Sequence, residues 1–147
     1  MEPEDEICFN EGDEISFEGK RALLVEDNMI NMEIAQMLLE QSGFLIETAE
    51  NGKIALEMTA ASEPGYYDVI LMDVQMPVMD GYMATQAIRS LPEAGLARIP
   101  IIAMTANAFQ EDIRKAEEVG MNGHIAKPLD IPGMKATLQK VLKKTAK

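Results

Sequence analysis

The chain has 147 residues, of which 47% are apolar, so it is large enough for one domain with a sizeable core. No apolar stretch has the length needed to cross a bilayer, and the amino terminus lacks the basic and then apolar pattern of a signal peptide. The net charge of −12, without a basic stripe, argues against nucleic-acid binding. The single cysteine, Cys8, cannot form an internal disulfide, which favours a reducing, cytoplasmic setting.

The first 19 residues differ from the rest of the chain in charge. They contain eight acidic residues and no lysine or arginine, whereas residues 20–147 contain 17 acidic and 13 basic residues. This charge density, together with Gly12 and Gly19, predicts an acidic linker or loosely attached arm over residues 1–19. Residues 20–147 are predicted to form the folded domain.

Five apolar runs that are typical of buried strands alternate with segments of helical periodicity. The strands are predicted over residues 21–26, 44–48, 67–73, 99–105 and a short stretch that precedes Lys127. The first helix is predicted over residues 29–41, with Asn28 as its N-cap, and residues 92–98 are predicted to be a loop. The predicted core face of the first helix comprises Ile30, Ile34, Met37, Leu38 and Gln41. This alternation of strands and helices predicts an α/β fold, in which helices cover both faces of a parallel sheet.

Acidic residues stand at the carboxyl ends of two predicted strands, where α/β sheets place their ligands. Residues 69–72 lead into Asp73, and residues 22–25 lead into Glu26 and Asp27. If the two strands are neighbours, the three carboxylates converge, and their like charges repel one another unless a cation joins them. Mg²⁺ prefers oxygen ligands of this kind. The alternative is that each acid caps the helix or loop that comes after it.

Two further polar residues are expected at the same edge of the sheet. Thr105 ends the fourth predicted strand, and Lys127 ends the fifth. A lysine ammonium suits a phosphoryl oxygen, and a threonine hydroxyl can donate a hydrogen bond to another. The alternatives are an ordinary strand-end residue for Thr105 and a solvated loop charge for Lys127.

In order and spacing, these motifs resemble the signature of response-regulator receiver domains over about residues 20–144. The matching motifs are Glu26-Asp27-Asn28, Asp73 with Met76-Pro77-Val78-Met79-Asp80-Gly81, Thr105-Ala106-Asn107 and Lys127-Pro128. The combination of Glu-Asp-Asn with Met-Thr-Ala-Asn-Ala is similar in particular to the receivers fused to hybrid sensor histidine kinases. The resemblance implies a flavodoxin-like (βα)5 doubly wound parallel sheet with strand order 2-1-3-4-5.

The resemblance also implies a phosphoacceptor of a two-component phosphorelay, in which Asp73 takes a phosphoryl group from a phosphohistidine. Asp27, Asp73 and the backbone carbonyl of Gln75 would hold Mg²⁺, with Glu26 acting through a water, and Mn²⁺ would serve in its place. Such a receiver phosphorylates and dephosphorylates itself and is not a conventional enzyme. A kinase activity would belong to the parent protein.

The same resemblance assigns the remaining site residues. Lys127 and the Thr105 hydroxyl would bind phosphoryl oxygens, together with the backbone N–H groups of Gln75 and Ala106. Gln75 and Asn107 occupy the positions at which the family tunes the lifetime of the acyl phosphate.

A switch in the family couples the site to its output through the threonine and an aromatic residue three positions before the lysine. In this chain, Thr105 is the threonine, and His124 stands at the aromatic position. We interpret His124 as a partly buried strand histidine rather than a pH sensor. A role as a metal ligand is disfavoured because the chain has no second histidine.

The expected partner is a histidine kinase or a histidine phosphotransfer domain. No contact of this domain with nucleic acid or a membrane is expected, and the sequence leaves open whether two copies of the chain pair. On the first helix, Met32 and Leu39 lie roughly opposite the predicted core face, and Met29 lies on the adjoining flank. These three residues predict an exposed apolar docking patch for a phosphotransfer helix, and the alternative is ordinary scattered surface apolarity.

Other classes of protein fit the sequence less well. A haloacid-dehalogenase phosphatase needs a second aspartate two residues after the nucleophile, where Gln75 stands. A dinucleotide-binding module needs a glycine-rich turn after the first strand, where residues 26–28 read Glu-Asp-Asn. A transcription factor needs a DNA-binding domain after the last helix, where only residues 145–147 remain. Within the family, the alternative to a piece of a hybrid kinase is a free-standing single-domain response regulator.

Overall fold

The computed structural model describes residues 19–74, 81–105, 110–126 and 131–145. The strands and helices in these ranges are β1 Arg21–Val25, α1 Met29–Gln41, β2 Leu45–Ala49, α2 Gly52–Ala61, β3 Val69–Asp73, α3 Gly81–Arg89, α4 Ala94–Ala97, β4 Ile101–Thr105, α5 Gln110–Val119, β5 Gly123–Ala126 and α6 Ile131–Thr145. The predicted alternation of strands and helices is therefore confirmed. Residues 1–18 of the expected acidic arm lie outside the described ranges, so the arm stays a prediction.

The five strands form one parallel sheet in the order β2-β1-β3-β4-β5, which is the predicted order. Helices α1 and α6 pack on one face around Leu39 and Leu138. Helices α2, α3 and α5 pack on the other face around Ala55, Ile88 and Ala116. Because both faces are covered, the inner strands are continuous apolar runs rather than alternating sequences. Within the described ranges, no helix combines the length and the apolar character that crossing a bilayer requires.

Helix α1 begins and ends where the sequence predicted, because both ends carry recognisable signals. The side-chain oxygen of Asn28 accepts a hydrogen bond from the backbone N–H of Asn31 at 3.0 Å, and this caps the first turn. At the other end, Gly43 has a φ of +105°, a left-handed conformation that favours glycine and stops the helix. The cap places the helix directly after Glu26 and Asp27.

The predicted core face of α1 is wrong in most of its residues. Ala35 and Leu39 are buried, whereas Ile30, Ile34 and Met37 are exposed. Residues 30, 34 and 37 and residues 32, 35 and 39 both have spacings of three or four, so each set shares one side of a helix. Periodicity alone could not decide which set faces the sheet.

The predicted docking patch on α1 is corrected for the same reason. Leu39 is only 1% exposed, so it cannot contribute to such a surface, and Met32 is partly buried against the core, so it contributes only part of its side chain. Met29, which is 70% exposed, is the one member that contributes most of its side chain. The exposed apolar surface of the helix, which we call the α1 apolar face, consists of Met29, Ile30, Ile34 and Met37.

The segment between α3 and β4 also differs from its prediction as a loop. It contains the four-residue helix α4, on which Leu96 is buried against the core. A single helical turn is too short to show a recurring apolar spacing, which explains why the sequence pattern missed it.

Arg89, the last residue of α3, ties this helix to the amino ends of β4 and β5. Its guanidinium donates to the carbonyl oxygens of Ala97 and Ile99 at 2.7 and 2.8 Å. It donates twice to the carbonyl oxygen of Gly120, at 3.0 and 2.7 Å, and once to Oδ1 of Asn122 at 2.9 Å. One cation thus satisfies four acceptors that belong to two different connecting segments.

Asn122 extends this network to the sheet, because its Oδ1 also accepts the backbone N–H of Ile101 at 2.9 Å. Burial lowers the pKa of the Arg89 guanidinium, but an arginine stays charged at any physiological pH. The network therefore fixes α3 relative to β4 and β5. The opposite ends of these two strands lead to Thr105 and Lys127.

Replacing Arg89 by Lys should lower the free energy of unfolding by about 2 kcal/mol. A single ammonium group cannot reach all four oxygens to which the planar guanidinium donates. Urea denaturation monitored by circular dichroism measures the change. Arg98→Lys, at an exposed position of the same connection, is the matched control and should stay within about 0.5 kcal/mol of the wild type. Equal stabilities of the two variants would contradict the role given to Arg89.

Candidate metal centre

The register of the sheet brings the acidic strand ends together. Strand β1 pairs with β3 so that Val25 lies opposite Met72, and β3 pairs with β4 so that Asp73 lies opposite Met104. The two residues directly after β1 therefore come up beside Asp73. This neighbourhood of β1 and β3 was the condition on which the predicted convergence of carboxylates depended.

The three predicted carboxylates do converge. One carboxylate oxygen from each of Glu26, Asp27 and Asp73 lies within 4.8 Å of the other two. Glu26 and Asp73 are 2% and 4% exposed, whereas Asp27 is exposed at the rim. Three hard oxygen donors that are open to solvent on one side form a suitable site for a small divalent cation.

The part of the alternative in which Glu26 or Asp27 caps helix α1 does not describe the local geometry, whereas residues 75–80 after Asp73 lie outside the described ranges. The cap of α1 is Asn28 and not Glu26 or Asp27. A carboxylate oxygen of Glu26 instead accepts the backbone N–H of Asn28 at 3.3 Å, which orders the turn between β1 and α1. The turn is thereby held in a shape that directs the two acids towards β3.

Gly81 has a positioning role that was not predicted from the sequence. A Cβ atom at this position would lie 2.5 Å from the carbonyl oxygen of Asp73 and 2.8 Å from Cα of Val74, which is closer than real contacts allow. The start of α3 therefore packs directly on the backbone of the central acid, and the N–H of Gly81 donates to the carbonyl oxygen of Val74 at 3.3 Å. The signal in the sequence was a glycine at the first residue of a helix, where other residues have a better propensity.

Several predicted site residues lie outside the described ranges, namely Gln75, Ala106, Asn107 and Lys127. The backbone of Thr105 ends β4 and lies opposite Ala126 of β5, whereas its side chain is not among the described atoms. The backbone thus brings the ends of β4 and β5 to the same edge as the acids. The roles predicted for these five side chains or backbone groups stay predictions.

The interpretation of His124 as a partly buried residue is wrong. The residue lies on β5 opposite Ala103, as expected for a strand residue, but it is exposed. Strand β5 is the outermost strand of the sheet, so it is flanked on one side only. The predicted strand order already placed this strand at an edge of the sheet, but the apolar pattern of one short run did not show that His124 is exposed there.

Glu47, an acidic residue outside the cluster, is hydrogen-bonded and paired with other groups of the protein. Glu47 on β2 accepts hydrogen bonds from the hydroxyls of Tyr66 and Tyr67, and lies 3.8 Å from the Arg21 guanidinium. The hydrogen bond from Tyr66 is the main reason why the pKa of Glu47 lies below its ordinary value, and Tyr67 and Arg21 act in the same direction against the effect of burial. This carboxylate is thus part of a local polar network and not of a cation site.

The response regulator receiver domain family matches residues 22–139 of the chain. Hybrid signal transduction histidine kinase B of Dictyostelium discoideum is 43% identical over 119 residues, which cover 75% of this chain and 6% of that kinase. Probable histidine kinase 1 of Oryza sativa subsp. indica is 37% identical over 151 residues, which cover 83% of this chain and 15% of that kinase. The chain therefore spans only a small part of the length of these relatives.

Solved structures of receiver domains have the same fold. The receiver domain of the sensor histidine kinase PA1611 from Pseudomonas aeruginosa PAO1 aligns with a TM-score of 0.75 and 38% identity, covering 85% of this chain and 98% of that one. That structure has a magnesium ion coordinated in its active site cleft. The receiver domain of the histidine kinase CKI1 from Arabidopsis thaliana, complexed with Mg²⁺ and BeF₃⁻, aligns with a TM-score of 0.76 and 30% identity, covering 86% and 92%.

Receiver domains similar to this one thus occur within histidine kinases, and the related structures contain Mg²⁺. The family match extends over most of the sequence and includes the strand ends that bring Glu26, Asp27 and Asp73 together. The chain therefore belongs to the response regulator receiver domain family.

Proposed function

We propose that this receiver domain takes a phosphoryl group from a phosphohistidine of a partner protein onto the carboxylate of Asp73. The observation that carries the proposal is the meeting of Glu26, Asp27 and Asp73 within 4.8 Å. In the reaction, an oxygen of Asp73 attacks phosphorus and the P–N bond to the imidazole breaks. The leaving nitrogen takes up a proton from solvent, and an acyl phosphate forms on the aspartate.

The position of Asp73 in the sheet supports its choice as the nucleophile. It ends the central strand β3, so the acids at the end of β1 stand on one side and the end of β4 stands on the other. We infer that the Thr105 hydroxyl and the Lys127 ammonium bind phosphoryl oxygens there. The backbone N–H groups of Gln75 and Ala106 would complete the cradle.

Glu26, Asp27, Asp73 and the backbone carbonyl of Gln75 are the residues that would hold the cation. The two related receiver structures with Mg²⁺ support this choice of metal, and Mn²⁺ would serve in its place because it accepts the same ligands. When bound, the cation offsets charge on the carboxylates and on the incoming phosphoryl group. Because Asp27 is exposed, the cation and the phosphoryl group can both reach the site from solvent.

Four residues around this site are proposed to control the lifetime of the acyl phosphate and the response to it. Gln75 and Asn107 are neutral amides, so neither adds a carboxylate that could activate or repel the water that hydrolyses the acyl phosphate. Thr105 would respond to the phosphoryl group as one residue of the switch. His124, which is exposed on β5, would be the other residue of the switch.

The α1 apolar face is the proposed docking surface for the protein donor. It begins at Met29, two residues after Asp27, so a protein that covers this face also reaches the entrance of the site. Its members are 46 to 70% exposed. Ile30, Ile34 and Met37 share one side of the helix, and Met29 lies on the flank. An apolar helix of the partner could pack against such a surface. The occupant we infer is a helical domain that presents the phosphohistidine, from a histidine kinase or a phosphotransfer protein.

We further infer that the chain is the receiver of a hybrid sensor histidine kinase in the cytoplasm, with residues 1–19 as an acidic linker. The named relatives are histidine kinases of which receivers form a small part, which supports this parent. The rival within the family is a free-standing single-domain regulator. A haloacid-dehalogenase phosphatase is disfavoured because Gln75 replaces the second aspartate that its reaction needs.

Asp73→Asn should abolish transfer of labelled phosphate from acetyl phosphate and from a phosphohistidine donor, because an amide is too weak a nucleophile to form the acyl phosphate. Acid-labile label on the protein is measured by gel autoradiography. Asp68→Asn, five residues earlier, is the control and should still be labelled. Undiminished labelling of Asp73→Asn would refute the assignment of the nucleophile.

Asp27→Asn should weaken Mg²⁺ binding about tenfold or more, because it removes one of three converging charges. Isothermal titration calorimetry measures the dissociation constant. The matched control is Glu50→Gln, which removes an exposed acid at the end of neighbouring strand β2 and should leave Mg²⁺ affinity within about twofold of the wild type. If both variants bound Mg²⁺ as the wild type does, the carboxylate cluster would not be the metal site.

Ile30→Ser combined with Ile34→Ser should lower kcat/KM for transfer from a protein donor about tenfold, because each change removes apolar contact area from the α1 apolar face. The rate with acetyl phosphate should not change, since that donor needs no docking surface. Leu45→Ser, which is similarly exposed but lies on β2, is the control for loss of surface apolarity. Equal slowing with both donors would count against docking at α1.

A further inference from the structure

We propose that Met29 and Met37 are sites of reversible oxidation to methionine sulfoxide, and that their oxidation weakens docking of the phosphodonor protein on α1. The effect on docking rests on the proposed function, in which the α1 apolar face receives the donor. The modification itself does not depend on that function, because it results from exposure and chemistry alone.

The described methionines comprise an exposed group and a buried group, with Met32 and Met58 partly buried between these extremes. Met29, Met37 and Met83 are 70%, 51% and 52% exposed, so their sulfur atoms are open to a dissolved oxidant. Met72, Met104 and Met134 are at most 1% exposed in the core of the sheet. Oxidation under mild conditions should therefore be selective for the first group.

Two of the three exposed methionines belong to one apolar surface. Met29 lies at the amino end of α1, beside the entrance of the site, and Met37 lies about two turns further along. Ile30 and Ile34 lie between them, so the methionines stand at the two ends of the α1 apolar face. Met83 is on α3, on the other face of the sheet, and offers an internal comparison.

The reaction with a peroxide is balanced without any further reagent. The O–O bond of hydrogen peroxide breaks, one oxygen atom is transferred to the thioether sulfur, and the second leaves as water. The methionine loses two electrons and the peroxide gains them. The product is a polar sulfoxide in place of an apolar side chain, and methionine sulfoxide reductases reverse the change.

The consequence should be confined to docking. Because Met29 and Met37 are exposed and not packed in the core, a sulfoxide there neither opens a cavity nor displaces Glu26, Asp27 or Asp73. On the α1 apolar face, the sulfoxides must either keep their water or lose it unfavourably when an apolar helix covers them. Phosphotransfer from a protein should therefore slow while transfer from a small donor continues.

The first part of the test maps the modification. The full chain is treated with hydrogen peroxide, kept under a thiol reductant afterwards to reverse oxidation of Cys8, and analysed by peptide mass spectrometry. Sulfoxide is expected at Met29, Met37 and Met83 well before it is found at Met72, Met104 or Met134. Equal oxidation of exposed and buried methionines, or none at Met29 and Met37, overturns the proposal.

The second part measures phosphotransfer before and after oxidation, with a phosphohistidine protein and with acetyl phosphate as donors. We expect the protein-donor rate of the wild type to fall about fivefold or more and to recover after treatment with methionine sulfoxide reductases, with the acetyl phosphate rate unchanged. The double variant Met29→Leu and Met37→Leu cannot be oxidised at these two positions, so its protein-donor rate, whatever its value, should be the same before and after the peroxide treatment. Met83→Leu is the matched control and should remain as sensitive as the wild type.

Three outcomes overturn the effect on docking, and a fourth tests the proposed function separately. If the double variant slows as much as the wild type, or if both donors slow together, the effect comes from other residues, such as Met76 and Met79 near Asp73 in the sequence. If unoxidised Ile30→Ser with Ile34→Ser transfers phosphate normally, the docking surface itself is wrong, and an oxidation effect at Met29 and Met37 has lost its stated cause. Complete inactivity of the unoxidised wild type towards both donors would instead refute the function proposed for Asp73.

Discussion

Electrostatic repulsion among three carboxylates is the constraint on which this site depends. Glu26, Asp27 and Asp73 are held within 4.8 Å of one another, and two of them are buried, where a like charge is felt more strongly than in water. Their backbones cannot separate, because β1 and β3 are adjacent strands fixed by apolar packing on both faces of the sheet. A cation that binds here would offset the repulsion among the three carboxylates. Affinity for a divalent ion thus depends on the topology of the sheet as well as on the residue types.

The parts of the domain that do different tasks are physically separate. The carboxyl edge of the sheet carries the acids, the exposed side of α1 carries the apolar face, and the amino edge is held by Arg89. The α1 apolar face reaches the acids only at Met29, the first residue of the helix. In the proposed function, a change on this face would therefore alter recognition of a protein donor without changing the chemistry at Asp73. Donors of different size can separate the two experimentally.

Strong local signals in the sequence predicted the strands and the acids at their ends, whereas the strand order that brings the acids together was implied by the resemblance to receiver domains. Apolar runs that end in acids specify parallel strands and their carboxyl edge, and Asn28 marks the start of α1. Features that depend on tertiary packing were missed or reversed. Two equally spaced stripes on α1 could each have faced the core, so Ile30 was predicted to be buried and Leu39 exposed, whereas the reverse is true. His124 was predicted to be partly buried, but it is exposed on the edge strand β5. The contact between Gly81 and the backbone of Asp73 joins two elements, so the glycine at the start of a helix marked the position but not its partner.

Locating a divalent ion in crystals of this domain would test most directly whether the three carboxylates form the metal site. Mn²⁺ scatters anomalously and should occupy the proposed Mg²⁺ site, so an anomalous difference map from crystals soaked in Mn²⁺ locates it without assumptions. We predict one strong peak within bonding distance, roughly 2.2 Å, of carboxylate oxygens of Asp27 and Asp73. A well-occupied Mn²⁺ elsewhere, with no peak between these two residues, would contradict the assignment.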